Sequence, residues 1–501
     1  MNRREFLTVS TGLAVCGMLN FGRRSVYGAS DAVVSKPPNI IVVFTDDMGY
    51  ADLGVQGQLD DIKTPHIDQM AREGVRFTDG YITAPQCSPS RAGLITGRYQ
   101  QRFGFGHIPD TPLSRDEVTI AQYLKPAGYT SGMVGKWHLD PTIISHSWAE
   151  RQEEEVPKRP NGTLIVPFQL ERKYYPQEFG FDEYYMGEMR RYWANYDLEG
   201  NDLAADGEEI MDDTYRLEIQ TDAALAFIKR NHNTPFFLYL NYFAPHTPLE
   251  ATEEYLERHP GDMPTRRRYA LAMTSAMDDG IGKIMEVLQQ NGIDENTLII
   301  FTSDNGAPLK LSMVDSPIDT DPGGWDGSRN DPLVGEKGML TEGGIRVPYV
   351  ARWKGVLPEG LVYKEPVSSL DIAATAVAVA GLEKPSVLDG VNLIPYLTGD
   401  ATGAPHETLF WRFWTQSAVR KGNWKYITVG DQAEFLFDLG TDEHEKVNLL
   451  EAHPEIVAEL RQELEAWANT LQNPVGVPTG SLNPQEVGWY NHHLGTSLSN
   501  H

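Results

Sequence analysis

The chain has 501 residues, 41% of them hydrophobic, with 43 Lys+Arg against 70 Asp+Glu and only 2 cysteines. At ~100–200 residues per domain this is material for two to three cores, which excludes a disulfide-stapled miniprotein and a disordered chain. The formal charge of −27 excludes nucleic acid as a general partner, because phosphate backbones need a basic surface. Two cysteines exclude a disulfide framework and a multi-thiolate zinc site.

Residues 1–29 read as an export signal: Arg3-Arg4-Glu5-Phe6-Leu7, a weakly apolar run to Phe21, then small residues around Gly28-Ala29-Ser30. The run carries Thr8, Ser10 and Thr11 and falls short of the ~18 clean apolar residues that a membrane span wants, so no transmembrane anchor is expected. The arginine pair followed by Phe-Leu resembles a bacterial twin-arginine signal and implies a periplasmic or extracellular protein. Cys16 would leave with it.

From Asn39 onward short apolar runs alternate with helical patterns, which predicts an α/β domain at 38–399 with a central mixed, mostly parallel sheet flanked by helices. Strands are expected at 40–44, 130–134, 236–242 and 298–301, and helices at 67–73, 90–96, 120–125, 216–230 and 269–290. Residues 141–235 are richer in charge, Tyr and Trp than a core needs and read as an insertion, and a Pro/Gly/Asp-rich loop is expected over 307–330. Past Gly399 the pattern changes to antiparallel strands at 424–429 and 434–438, followed by a helix carrying Ile456, Leu460, Leu464, Trp467 and Leu471 on one face. That predicts a smaller C-terminal α+β unit at 400–472, then an irregular tail at 473–501 that includes His492-His493.

Two strands end alike, the first in Asp46-Asp47 and the other in Asp304-Asn305. In open α/β sheets ligands sit outside the carboxyl ends of strands, so these side chains would converge. Three carboxylates and an amide oxygen suit a hard cation such as Ca²⁺ or Mg²⁺; taken singly, each pair could equally be a solvated turn or a helix cap. Cys87 stands before Ser88, which suits an N-cap, and Pro89, which suits a first helical position, with Gly97 as the stop of a short helix. Backbone N–H groups at that end favour a bound anion or a thiolate, although a buried apolar cysteine fits the same pattern.

Cys87-Ser88-Pro89-Ser90-Arg91 followed by Leu94-Ile95-Thr96-Gly97 resembles the signature of type I sulfatases, in the alkaline phosphatase superfamily, whose cysteine is oxidised to formylglycine. Asp46-Asp47-Met48-Gly49, Gly135-Lys136-Trp137-His138-Leu139, Ala244-Pro245-His246-Thr247-Pro248, Ser303-Asp304-Asn305-Gly306, Gly335-Glu336-Lys337 and Glu342-Gly343-Gly344-Ile345-Arg346 follow in the same order. Two positions depart from the family pattern: Asp140 stands where Gly is usual and His66 where Asn is common, which bears on substrate fit rather than on chemistry.

The resemblance implies a sulfuric ester hydrolase in which Asp46, Asp47, Asp304, Asn305 and the modified Cys87 hold one Ca²⁺. It implies that Cys87, as formylglycine hydrate, is the nucleophile, and that Arg91 and Lys136 position it. His138 would take the proton for release of sulfate, His246 would protonate the leaving oxygen, and Lys337 would grip the sulfate. A formylglycine-generating enzyme is then a partner in maturation. A phosphate or phosphonate ester hydrolase of the same superfamily and an inactive polysaccharide-binding homologue are the alternatives. Arg190, Arg191, Trp193, Trp325 and His107 are candidate substrate residues, because aromatic faces stack on sugar rings and arginines grip anionic groups, which points to a sulfated polysaccharide or its oligosaccharides.

Overall fold

The structure, a computed structural model, describes residues 36–107, 112–153, 155–309, 325, 327–472 and 482–499. The segment read as an export signal, with Cys16, and most of the loop expected over 307–330 lie outside the described residues.

In chain order the strands are β1 (Asn39–Asp46), β2 (Val75–Phe77), β3 (Gly80–Tyr81), β4 (Thr130–Gly135), β5 (Glu183–Gly187), β6 (Arg191–Ala194), β7 (Glu208–Met211) and β8 (Phe236–Pro245). They continue with β9 (Thr297–Ser303), β10 (Tyr349–Arg352), β11 (Leu361–Tyr363), β12 (Val367–Ser368), β13 (Thr408–Phe413), β14 (Gln416–Lys421), β15 (Trp424–Val429) and β16 (Ala433–Asp438). Ten of them form one mixed sheet in the order β11-β2-β10-β9-β1-β8-β4-β5-β6-β7. Its centre, β9-β1-β8-β4-β5, is parallel throughout, with antiparallel strands added at either side.

A parallel strand buried on both faces needs apolar side chains on both, and β1 supplies them by alternation. Ile41 and Val43 join a core beneath the helices Pro65–Arg72, Arg216–Asn231 and Thr265–Gln290. Ile40, Val42 and Phe44 join the opposite core, beneath the helices Cys87–Thr96, Ile120–Leu124 and Asp371–Val379. Register then places polar residues. Thr45 pairs with Ser303, so Asp46-Asp47 and Asp304-Asn305 leave the sheet side by side. Asp46 pairs with Pro245 across a register shift, which brings His246 to the same edge.

The C-terminal unit is a four-stranded antiparallel sheet, β13-β14-β15-β16. The helix Pro454–Ala468 covers one face through Val457, Leu460, Leu464 and Trp467. The other face packs through Trp411, Phe413 and Ile427 on Tyr81, Met339, Leu340, Ile345 and Val347.

Three expectations need correction. Residues 141–235 are not an insertion: β5, β6 and β7 extend the main sheet, and the helix Arg216–Asn231 is part of its core. The tail is not irregular throughout, because the helix Pro484–His493 starts on a capping box between Asn483 and Glu486, and His493 pairs with Glu336 at 3.0 Å. The motif helix begins at Cys87 itself, with Gln86 as its N-cap. Ser88 is inside it, and its hydroxyl donates to the carbonyl of His138 at 2.8 Å rather than capping the helix.

Candidate active site

Four adjacent parallel strands deliver their carboxyl ends to one place, and each carries chemistry there. After β1 the backbone turns sharply at Asp47 (φ 64), a left-handed conformation that Asp tolerates better than most residues. Its amide then donates to Asp304 Oδ1 at 3.1 Å, and Asn305 Nδ2 donates to Asp47 Oδ1 at 2.7 Å. At the end of β4, Gly135 (φ 91) passes so close to β8 that a Cβ would stand 2.0 Å from the carbonyl oxygen of Asn241. Only glycine allows that approach. It lets Lys136 donate its amide to Asn241 and send its ammonium to Asp46 Oδ2 at 2.5 Å. Gly306 closes the β9 turn against Gly343, whose carbonyl oxygen a Cβ would meet at 1.8 Å, while a Cβ at Gly343 or Gly344 would meet the carbonyl oxygen of Gly335 at 2.4 Å or of Met339 at 2.1 Å.

The helix Cys87–Thr96 is buried along its length, and Arg91 reaches from it into the cluster. Its guanidinium donates to Asp304 Oδ2 at 2.7 Å, Asn241 Oδ1 at 3.1 Å and the Lys136 carbonyl at 3.2 Å. Lys337 stands 2.6 Å from Asp47 Oδ1, and His246 Nε2 is 3.6 Å from Asp47 Oδ2. Ligand atoms of Asp46, Cys87 and Asp304 lie within 4.8 Å of one another, as do those of Asp46, Asp47 and His246.

Burial and charge act against each other here. Burial pushes the Asp46 carboxyl up, but Lys136, His246, Arg91 and Lys337 hold it well below the usual carboxylate range. Asp304, buried beside Asp46, is pushed up to about 7 despite Arg91. Burial raises the Cys87 thiol to about 11, so an unmodified thiol there is not a ready thiolate. Burial and the neighbouring Lys136 and Arg91 push His138 well down, and burial takes His246 down to about 4.

The donor set fits a hard cation. Asp46 Oδ1 and Asn305 Oδ1 are buried with no hydrogen-bond partner among the described residues, an expensive arrangement for a carboxylate and an amide oxygen unless something else takes their lone pairs. Oxygens of Asp46, Asp47, Asp304 and Asn305 are the ligands that Ca²⁺ or Mg²⁺ takes.

Asp46, Asp47, Cys87, Arg91, Lys136, His246, Asp304, Asn305 and Lys337 are thus brought together, with His138 beside them. The substrate candidates are placed differently. His107 makes an edge contact with Trp414. Trp193 packs edge-on to Phe168 at 5.0 Å beneath Arg172, with its indole N–H on the Asp206 carbonyl. Arg191 pairs with Glu209, and Arg190 lies 3.6 Å from Glu250. The Trp325 indole donates to the Ser328 carbonyl. Asn241, which receives Arg91, was missed; an amide inside the apolar run of β8 was the signal for it.

The sulfatase family model matches residues 38–382, and the model for the N-sulphoglucosamine sulphohydrolase C-terminal region matches residues 335–470. N-acetylgalactosamine-6-sulfatase of Mus musculus is 33% identical, covering 80% of this chain and 74% of that protein. Arylsulfatase A of Homo sapiens is 30% identical, covering 87% and 88%. Among solved structures, Ps i-CgsB in complex with k-i-k-neocarrahexaose superposes with a TM-score of 0.71 at 29% identity, over 91% of this chain and 98% of that one. The phosphonate monoester hydrolase SpPMH from Silicibacter pomeroyi has a TM-score of 0.60 at 21% identity, covering 88% and 97%, a likeness of fold alone.

Proposed function

The chain belongs to the sulfatase family and is a sulfuric ester hydrolase, and from that premise we propose that it desulfates a sulfated polysaccharide or its oligosaccharides, using Cys87 as formylglycine and one Ca²⁺. The observation that carries the cofactor reading is the convergence of Asp46, Asp47, Cys87, Asp304 and Asn305, with two buried ligand oxygens left unpartnered. The oligosaccharide in the Ps i-CgsB complex supports the substrate class. A calcium ion held by the four oxygen-bearing side chains would draw charge from sulfate oxygens, and a formylglycine hydrate at position 87 would offer two hydroxyls on one carbon.

The chain's own residues divide the remaining work. Arg91 locks Asp304 in place, and Lys136 and Lys337 set positive charge on either side of the carboxylates, where a sulfate monoanion would sit. His246 Nδ1 hydrogen-bonds the Thr247 carbonyl, which can only accept, so Nδ1 carries hydrogen and Nε2 is the atom left to face the leaving oxygen. An anionic sulfate beside it favours the protonated imidazole, offsetting the effect of burial. His138, kept neutral by burial and Lys136, is suited to accept a proton. The twin-arginine-like pattern at residues 1–29 supports export out of a bacterial cytoplasm, after a formylglycine-generating enzyme has acted on Cys87. Among the described residues no helix is long and apolar enough to cross a membrane.

The test is sulfate release, followed by ion chromatography, from defined sulfated oligosaccharides and from 4-nitrophenyl sulfate, beside phosphate release from 4-nitrophenyl phosphate. Sulfate esters are expected to be hydrolysed faster, with activity lost on exhaustive chelation and restored by Ca²⁺. Faster phosphate release would favour the phosphate or phosphonate ester reading, and full activity after chelation would remove the metal from the account.

A further inference from the structure

Arg216 opens the helix Arg216–Asn231 with only 1% of its side chain exposed, although among the described residues no carboxylate holds it closely. Glu250 Oε2 is 4.0 Å from its Nε, beyond hydrogen-bond range, and Nε and Nη1 have no hydrogen-bond partner among the described residues. Burying a guanidinium on such terms is costly, and an apolar side chain of similar volume would stabilise the fold better.

What the guanidinium does hold is the segment bearing His246. Its Nη2 donates to the carbonyl of His246 at 3.3 Å and to that of Pro248 at 2.7 Å. Its charged centre stands 4.6 Å from the centroid of the Phe243 ring, and the Lys136 ammonium stands 4.6 Å from the same ring. Phe243 in turn stacks on the His246 imidazole, with centroids 4.9 Å apart and planes 29° apart. One side chain therefore grips the backbone on both sides of Thr247 and the ring against which the imidazole rests.

We propose that Arg216 is a positioning residue for proton transfer from His246, acting through the two carbonyls and the Phe243 ring to aim Nε2 at the leaving oxygen. This rests on the reading of His246 as the proton donor. As a nucleophile's oxygen bonds to sulfur, the ester S–O bond breaks with its electron pair going to the leaving oxygen; the Nε2–H bond of the protonated imidazole breaks and an O–H bond forms, so that a neutral alcohol departs and His246 is left neutral. A leaving group that is stable as an anion needs that proton less, and this separates a role in aiming His246 from a role in general stability.

The experiment compares kcat on phenyl sulfate and 4-nitrophenyl sulfate for the wild type, R216M, R216K and H246Q, all isolated as the full chain from a host that modifies Cys87. H246Q is expected to lose far more on phenyl sulfate than on 4-nitrophenyl sulfate. R216M should share that pattern, losing roughly 10-fold or more on phenyl sulfate and less than about 2-fold on the nitrophenyl ester, with R216K between it and the wild type. Equal losses of R216M on both esters, or none, while H246Q discriminates between them, would overturn the role of Arg216. Equal losses in H246Q would overturn the reading of His246 and this inference with it. If R216M does not fold, R216K is judged by the same ratio.

Discussion

Truncation of Cys87 to alanine is expected to reduce sulfate release by at least about 10³-fold while leaving the protein folded. Residue 87 is the first of its helix and is 2% exposed, and alanine keeps the helical start. The loss of one small buried group costs roughly 1 kcal/mol. The arginine and lysines around it remain tied to carboxylates, so the pocket survives without its nucleophile. Turnover within about 10-fold of the wild type, measured beside an unchanged thermal transition, would place the nucleophile elsewhere.

The largest effect on stability is expected at Lys425, outside the proposed catalytic cluster. Its buried ammonium lies 2.7 Å from Glu342 Oε1 and 2.9 Å from Glu445 Oε1. Glu342 Oε2 accepts the Tyr81 hydroxyl at 2.6 Å, and the Glu342 amide donates to Glu445 at 2.7 Å. This network ties the C-terminal sheet to the Gly343-Gly344 turn that closes over Gly306. Lys425→Met leaves Glu445 buried without its cation and Glu342 with Arg346 alone, at 3.5 Å, and should cost about 3–5 kcal/mol in denaturant unfolding. A change below about 1 kcal/mol would contradict the assignment.

The same triad gives a pH dependence of known sign. Burial works against both carboxyls, but Lys425, Arg346 and Arg420 hold Glu342 down to about 2, whereas burial pushes Glu445 up to about 7. A carboxyl whose folded pKa lies above its unfolded value favours folding while protonated. Its contribution is present below pH ~4.5 and is lost as pH rises through about 7. Glu445→Gln should remove that segment of the stability profile while being far milder than Lys425→Met.

The oxygen-bearing cluster of the candidate site was legible because Asp46, Asp47, Asp304 and Asn305 follow two apolar strands, where a change from β-branched to acidic residues marks the sheet edge. Cys87, Arg91, Lys136 and His246 were readable only through the order of motifs, since each one alone fits an ordinary turn or helix surface. Strands β5 to β7 were missed for a physical reason. They are four or five residues long and lie towards one side of the sheet, and β5 and β6 pack Tyr185 on Tyr192 rather than forming an aliphatic run. The helix Pro484–His493 did carry a signal, Asn483-Pro484-Gln485-Glu486, which is a cap, a first-turn proline and the returning glutamate. Trp193 illustrates the limit of composition: an aromatic in a charged segment suggested a sugar platform, yet its indole packs on Phe168 and its N–H is used by Asp206.

The proposed sulfate-ester chemistry turns on the chemical state of residue 87. Tryptic cleavage at Arg76 and Arg91 isolates residues 77–91, and the mass of that peptide from catalytically active protein is the most direct measurement. The account predicts a peptide lighter than the encoded one, because the thiol and one hydrogen give way to a carbonyl oxygen, and predicts trapping by a carbonyl-reactive amine. Active enzyme in which the peptide carries an intact, alkylatable thiol would contradict it.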